Sequence, residues 1–319
     1  MKILMIVIIC LIIFVIADSI IDNKFIEVTR YSFVDSRIGR DCRFVFLSDL
    51  HDNRHGKNNE RLLKLVERER PNFVLVGGDM ITAKPGCSYA GAVKLMRELR
   101  RMNVPVIYGM GNHEYRMMIY TDDYGNSYER FMGELKELGV ITLCNNNVLL
   151  EEYGVDVQGL MLERETYKRW GGRIIPQRGD VHKLILNGKT NQTVKTNQTV
   201  KTNRGENVLQ VKDSGKYKIL LAHNPEYFNA YEEEADLILS GHFHGGIARI
   251  PGIGGVISPR LTLFPKYSGG KYETRIGEHL TTMLVSRGLG SHTIPLRVFN
   301  RVELPVIELK SAEKKMQER

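Results

Sequence analysis

Cysteine is scarce in this chain and never closely paired. Cys10, Cys42, Cys87 and Cys144 are scattered through 319 residues without a Cys-x-x-Cys, which excludes a zinc ribbon and a disulfide framework. Cys10 lies inside an N-terminal apolar run, which leaves an odd number of thiols elsewhere, and buried apolar filler is the simplest reading of them. Aromatic residues make up only 8%, tryptophan occurs once, and no basic groove studded with aromatics can be named. The chain therefore lacks the marks of a nucleic-acid binder, and no specific nucleic-acid partner is expected. With 42% hydrophobic and 26% charged residues, disorder, collagen and coiled coil are excluded as its main character. Lys+Arg 45 against Asp+Glu 37 leaves a formal charge of +8. That surplus favours anionic partners such as phosphorylated substrates, nucleic acid or acidic lipid head groups, and does not choose among them.

One long hydrophobic run is present. Residues 3–17 are uninterrupted apolar side chains, followed by Asp18-Ser19 and Asp22-Asn23-Lys24. At 1.5 Å per residue the run spans about 22 Å, short of a ~30 Å hydrocarbon core unless Ile20 and Ile21 extend it. No Ala-x-Ala is present, and Cys10 follows Ile9 rather than a small residue. An uncleaved signal-anchor over residues 1–22 is preferred to a cleaved signal, and a buried N-terminal strand or helix is the third reading. Lys2 and the amino terminus flank one side, while Asp18, Asp22 and Glu27 lie on the other. The rest should be translocated, giving a cell-membrane protein whose main domain is extracytoplasmic, or a secreted one if the segment is cleaved. Residues 23–319 then form the remaining domain, with a core over about 40–310.

Short apolar runs alternate with helical patterns. Phe44-Val45-Phe46-Leu47 ends in Ser48-Asp49, and Phe73-Val74-Leu75-Val76 ends in Gly77-Gly78-Asp79. Both read as buried strands that deliver an acidic residue at the tip. Leu62, Leu63, Leu65 and Val66 at helical spacing predict a connecting helix over 58–70, so the two strands should be parallel. The rhythm continues with a helix at 89–101, a strand at 104–108, a helix at 128–138 and a strand at 140–143. Beyond it come apolar triplets with few helices between, which predicts a second, more antiparallel sheet.

Residues 189–194 recur as 195–200, and 201–203 begin a third copy. This polar stretch predicts a mobile surface insertion over 187–207 whose removal should be nearly neutral. Its two Asn-Gln-Thr tripeptides match a glycosylation sequon, a pattern common by chance, and receive no function.

The chemistry lies in five separated clusters: Asp49-Leu50-His51, Gly78-Asp79, Gly111-Asn112-His113-Glu114, His223-Asn224 and Gly241-His242-Phe243-His244. Singly each is ordinary. Jointly they place five of nine histidines, two aspartates and an asparagine after apolar strands, where α/β sheets build active sites. Carboxylate, imidazole and amide oxygen without thiolate suit borderline divalent ions such as Mn²⁺, Fe²⁺ or Zn²⁺. The number of donors exceeds one ion's needs and predicts a two-metal site.

In this order the clusters resemble the calcineurin-like metallophosphoesterase superfamily, whose pattern is Asp-x-His, Gly-Asp, Gly-Asn-His-Asp/Glu, His and Gly-His-x-His. The stretches Leu221-Ala222-His223-Asn224-Pro225, Lys266-Tyr267 and Ser286-Arg287-Gly288-Leu289-Gly290 look like its membrane-associated bacterial branch. The resemblance implies an α/β fold, a four-layer α-β-β-α sandwich of two mixed sheets. It implies that Asp49, His51, Asp79 and His244 hold one metal, and Asp79, Asn112, His223 and His242 the other, with Asp79 bridging. A bridging water acidified by two ions would then hydrolyse a phosphoester or pyrophosphate by in-line attack. It places His113 beside the scissile phosphate, where the side chain can stabilise charge and protonate the leaving oxygen. Asn112 and His113 should point apart if they follow strand geometry. Glu114 is a candidate for orienting an imidazole, and Gly241, Gly245 and Gly246 for close backbone approach.

His55 reads as a solvent-facing loop histidine, and Arg54, Lys57 and Arg287 as ordinary surface charge, although each could meet phosphate. His182, His279 and His292 have no motif context, and 310–319 reads as a solvated tail. The expected function is a metal-dependent phosphohydrolase acting on a phosphorylated small molecule or lipid-linked substrate at the outer membrane surface. A metal-bearing sensor without turnover and a nuclease are the alternatives.

Overall fold

The computed structural model describes residues 1–168, 171–187, 191–195, 199–202, 215–258, 262–291 and 295–312. The chain opens with helix α1 (Lys2–Lys24) and strands β1 (Glu27–Asp35) and β2 (Cys42–Leu47). It continues through α2 (Glu60–Glu69), β3 (Phe73–Val76), α3 (Ala90–Arg101), β4 (Val106–Gly109), α4 (Asn112–Ile119), α5 (Thr121–Tyr124), α6 (Ser127–Glu137) and β5 (Ile141–Leu143). Then come β6 (Asn146–Leu150), β7 (Val155–Leu160), α7 (Asp180–Asn187), β8 (Asn191–Lys195), β9 (Thr199–Thr202), β10 (Tyr217–Ala222), α8 (Phe228–Tyr231) and β11 (Leu237–Ser240). The hairpin β12 (Ala248–Ile250) and β13 (Gly254–Ile257) precedes β14 (Gly270–Ile276), β15 (His279–Val285) and β16 (Glu303–Ser311).

Two mixed sheets form, in the orders β1-β16-β2-β3-β4-β5 and β14-β15-β11-β10-β7-β6-β8-β9. Side-chain alternation along each strand decides which layer it feeds. Phe44 and Phe46 of β2 point between the sheets and pack with Phe73, Leu75, Val157, Ile219 and Leu239, while Val45 and Leu47 face outward onto Leu62, Val66 and Ala92 of the helices. On the far side of the second sheet Leu220, Ile238 and Met283 pack on Tyr227, Phe228 and Tyr231. Three apolar seams separate four layers, α-β-β-α. Truncating a side chain from the inner seam, Phe44 for instance, typically costs about 3–5 kcal/mol.

Both sheets are mixed, as the resemblance implied, but several other expectations change. The second is less antiparallel than its apolar triplets suggested: β7, β10, β11 and β15 run parallel at its centre, and antiparallel pairs flank them. The repeat is not a loose insertion, since β8 runs parallel to β6 and β9 pairs back on β8 at the sheet edge; residues 188–190, 196–198 and 203–214 lie outside the described residues. The C-terminal tail begins later than expected, because Lys310 and Ser311 belong to β16, which pairs with β1 and β2; 313–319 are not described. The first sheet also reaches below residue 40 to include β1.

Candidate metal centre

The five clusters meet because of strand direction. β2, β3 and β4 are parallel neighbours, as are β10 and β11, so all five tips reach one edge of the sandwich. Asp49 and Asp79 are fully buried there, with His51, His223 and His244 nearly so. Asp49 Oδ1 lies 3.9 Å from His51 Nε2, 3.8 Å from His223 Nε2 and 3.7 Å from His244 Nε2. Asp79 Oδ2 lies 3.7 Å from His51 Nε2 and 3.0 Å from His223 Nε2. The donor atoms fall into three overlapping groups, each within 4.8 Å: Asp49, His51 and His244; Asp79, His223 and His242; and His51, Asp79 and His113. Donors about 2.1 Å from a shared ion at tetrahedral or octahedral angles stand about 3.0–3.4 Å apart, so this spacing suits metal ions after a small contraction. Asn112 Oδ1 is buried without a hydrogen-bond partner, an orphan that a cation would satisfy.

The backbone is strained to achieve this. Asp49, His51, Asp79, His242 and His244 all adopt φ between 47° and 71°, a left-handed region that costs side-chain-bearing residues roughly 1–3 kcal/mol each. Glycine permits the loops to close. A Cβ on Gly111 would stand 2.2 Å from Asp79 Oδ1, and one on Gly241 2.1 Å from Asp49 Oδ2. Asp79 Oδ1 instead accepts from the backbone N–H of His113 at 2.8 Å, so a carboxylate from another loop caps α4 in place of the side chain that Gly111 lacks.

Ring hydrogen bonds fix the tautomers. Nδ1 of His223 faces the Gly77 carbonyl at 2.7 Å, and Nδ1 of His244 faces that of Gly290 at 3.0 Å. A carbonyl only accepts, so both rings carry a proton on Nδ1 and turn Nε2, the nitrogen a metal ion would bind, toward the carboxylates. His113 is the reverse. Its Nδ1 accepts from the backbone N–H of Ala83 at 2.8 Å, so the neutral ring carries its proton on Nε2. Asn112 and His113 occupy the first turn of α4 rather than a strand tip, and this tautomer, not strand alternation, is what distinguishes His113 from His223 and His244.

The charges agree with a cation site. Burial opposes charge on His223, but Asp79 and Asp49 outweigh it and hold its pKa at about 10. Burial likewise pushes the Asp79 carboxyl up, and His223, His113 and His51 reverse this and hold it well below the usual range. A metal ion would take the place of the proton these carboxylates attract. Burial lowers the pKa of His113 and His244 and keeps both rings neutral.

Glu114 does not orient an imidazole through any hydrogen bond the structure shows. Fully buried, it accepts from the backbone N–H groups of Asp79 (2.9 Å), Met80 (3.1 Å) and Gly111 (3.0 Å) and from the Tyr108 hydroxyl (2.7 Å). It thereby ties the loop of Asp79 and Met80 to that of Gly111. Burial, then Asp79, raises its pKa to about 7 against these donors. Glu114→Gln turns an amide NH₂ toward two of the donors. The expected cost is about 3 kcal/mol and a fall of several degrees in Tm; unchanged melting of the variant would refute the clamp.

Other candidates move elsewhere. His55 is buried, 1% exposed, with its Nε2 on the Leu289 carbonyl at 2.5 Å, so it is a structural residue and not a solvent-facing one. Arg287 is not loose surface charge: it pairs with Glu303 and Glu27, each at 3.2 Å. Arg54 and Lys57 are exposed. His182 pairs with Glu234 at 3.1 Å, His279 stands 3.8 Å from Asp236, and His292 lies outside the described residues. The sequence reading missed Tyr167, whose ring stands edge-on to His242 at 5.4 Å, and Asp52, whose Oδ2 accepts from Thr82 N–H at 2.8 Å. A lone tyrosine far from any motif offers no sequence signal, whereas Asp52 adjoins Asp-x-His.

Residues 42–246 match the calcineurin-like phosphoesterase family. YpbG of Bacillus subtilis is 24% identical over 266 residues, 83% of this chain and 79% of its own. A metallophosphoesterase of Aquifex aeolicus is 22% identical over 300 residues, 92% and 95% of the two chains. The phosphodiesterase YaeI of Escherichia coli is 24% identical over 272 residues, 84% and 82%. With the match spanning more than half of the sequence and covering every cluster at the sheet edge, the chain belongs to the calcineurin-like phosphoesterase family and is a metal-dependent phosphoesterase.

Proposed function

We propose that the chain is a dinuclear phosphohydrolase that acts on a phosphoester or pyrophosphate at the outer face of a membrane. The observation that carries the reading is the convergence of two buried carboxylates and four imidazoles from the loops after the strands with an orphan amide oxygen from the start of α4. Asp49, His51, Asp79 and His244 would hold one ion, and Asp79, Asn112, His223 and His242 the other, with Asp79 shared. Two divalent ions held there, Mn²⁺, Fe²⁺ or Zn²⁺, would supply Lewis acidity toward phosphoryl oxygens and water. The protein's own part is to orient the imidazoles through Gly77 and Gly290 and to exclude water around the carboxylates. His113 presents its Nε2–H to a phosphoryl or leaving oxygen. Because its Nδ1 is occupied by the Ala83 N–H, hydrogen bonding by the neutral ring is favoured over full proton donation, as in enzymes that use neutral histidine as an electrophile.

A cavity of about 310 Å³ opens beside Asn112, lined by Tyr115, Arg116, Tyr120, Arg164 and Tyr167. Arg164 lies over the Tyr120 ring at 5.0 Å. Cations and aromatic faces next to a proposed ligand suit an anionic or ring-bearing leaving group, either of a phosphorylated small molecule or of a lipid-linked substrate.

Helix α1 is long and apolar enough to cross a membrane, with residues 3–17 exposed along almost their whole length. It serves here as the uncleaved anchor, with residues 23–319 outside. Its polar end is part of the domain: Asp18 Oδ2 accepts from Phe299 N–H at 2.9 Å, and Asp22 Oδ2 from Asn300 N–H at 2.5 Å. Purified full-length protein is expected to carry about two transition-metal ions per chain by elemental analysis and to hydrolyse members of a panel of monoesters, diesters and pyrophosphates, with loss on chelation and recovery on adding Mn²⁺. A metal-free yet active preparation would overturn the reading.

A further inference from the structure

We infer that the groove beside the anchor is a second membrane contact, which binds anionic phospholipid head groups and holds the metal centre at a fixed height above the bilayer. The inference rests on α1 being an anchor.

The first observation is continuity. Phe14 lies within the apolar run, and its ring stands 6.0 Å from that of Phe299. If residues 3–17 are in hydrocarbon, a side chain touching Phe14 sits at the membrane boundary. The loop carrying Phe299 is also clamped to the helix. Besides the Asp18 and Asp22 bonds, Arg297 N–H donates to Ser19 Oγ at 3.1 Å, so the anchor and this face keep one orientation.

The second observation is the surface that continues from Phe299. A groove of about 700 Å³ is lined by Arg249, Ile253, Phe264, Lys266, Arg287 and Phe299. Ile253 is 71% exposed, Phe264 62% and Phe299 51%. Isolated apolar residues on a surface need no explanation, but three on one rim beside an apolar span do. Both phenylalanines sit at positive φ, 47° and 52°, a conformation bulky side chains rarely adopt and one that turns each ring outward only at a conformational cost.

The third observation is charge. The groove also carries cations, Arg249 half-buried and Lys266 exposed. Arg249 is held by the Gly245 and Ser268 carbonyls at 2.9 and 3.1 Å, and Lys266 lies over the Tyr267 ring at 4.9 Å. Arg287 is partly neutralised by Glu27 and Glu303, and Lys271 by Glu273, which leaves Arg249 and Lys266 as the cations best placed for phosphate. Apolar and aromatic side chains beside basic ones are how interfacial proteins meet anionic leaflets. Gly245 adjoins His244, so a head group in the groove would fix the metal loop relative to the lipid.

The test uses the full chain in nanodiscs of phosphatidylcholine, with or without phosphatidylglycerol, carrying brominated acyl chains. Phe264→Trp and, in case that variant fails to fold, Ile253→Trp report on the rim, with the unsubstituted protein giving the background of Trp170 and Lys94→Trp on α3 as a distant control. We expect brominated lipid to quench both rim reporters above background in phosphatidylglycerol discs and to spare Lys94→Trp. Lys266→Gln, in a rim-reporter background, should lower the docked-to-free ratio about fivefold. If the chain enters the discs and neither rim reporter is quenched, the inference fails while the anchor stands; if it does not enter them, the anchor reading fails. Equal quenching in neutral and anionic discs, or none of it lost with Lys266→Gln, would overturn the assignment to anionic head groups.

Discussion

Asp79→Asn is expected to lower the metal content from about two ions to one or none and to reduce kcat/KM roughly a thousandfold, the equivalent of several kcal/mol of lost charge stabilisation. Asp79 is the shared carboxylate of the proposed pair, and its Oδ2 approaches both His51 and His223. An amide cannot bridge two cations with the same charge, and its NH₂ would face an imidazole lone pair. The fold should survive, because the asparagine oxygen can still accept the His113 N–H and cap α4. Elemental analysis with far-UV circular dichroism checks both halves. A folded variant that retains two ions and full activity would show that Asp79 does not bridge.

How much of this was legible in the sequence depends on whether the cause was local. β2, β3 and β4 are apolar runs buried on both faces, and they read as such. The strand tips followed, and with them all eight residues of the proposed constellation. Helix α4 did not, because Gly111 offers no cap and the one supplied comes from Asp79, more than thirty residues earlier. β16 was hidden by Pro305, which argues against an internal strand. It stands opposite Thr29 of β1, and the ladder to β2 begins one residue later, at Val306, so no N–H is missed on that side. β1 alternates partly buried with exposed side chains and so lacks an apolar run. The second sheet was read as more antiparallel because short apolar triplets do not reveal the direction in which a chain re-enters a sheet.

The site shows the same division. Residue types and spacing gave the ligand candidates, while the left-handed backbone of Asp49, His51, Asp79, His242 and His244 is a tertiary strain that composition cannot show. His55 looked exposed since nothing nearby in sequence buries it; its partner, the Leu289 carbonyl, comes from the loop after β15. Glu114 occupies the expected position, but its partners are backbone donors from two loops, a role visible only once those loops meet.

His113→Ala separates binding from chemistry. His113 stands among possible donors, with His51 and Asp79, so proximity alone would allow it to be a ligand. Its tautomer argues otherwise, since Nε2 carries the proton while Nδ1 accepts from Ala83. Removing it should leave metal content unchanged and lower kcat by about 10² to 10³, the usual effect of deleting one donor aimed at developing charge. His223→Ala, which removes the Nε2 placed 3.0 Å from Asp79 Oδ2, should instead lose metal and activity together. The leaving group discriminates further. A neutral donor to a phosphoryl oxygen affects alkyl and p-nitrophenyl esters alike, whereas a proton donor to the leaving oxygen matters far more for the basic alkoxide. Similar losses on both esters are expected. A loss confined to alkyl esters would mean that the ring becomes doubly protonated and gives up its bond to Ala83, and loss of an ion would make His113 a ligand after all.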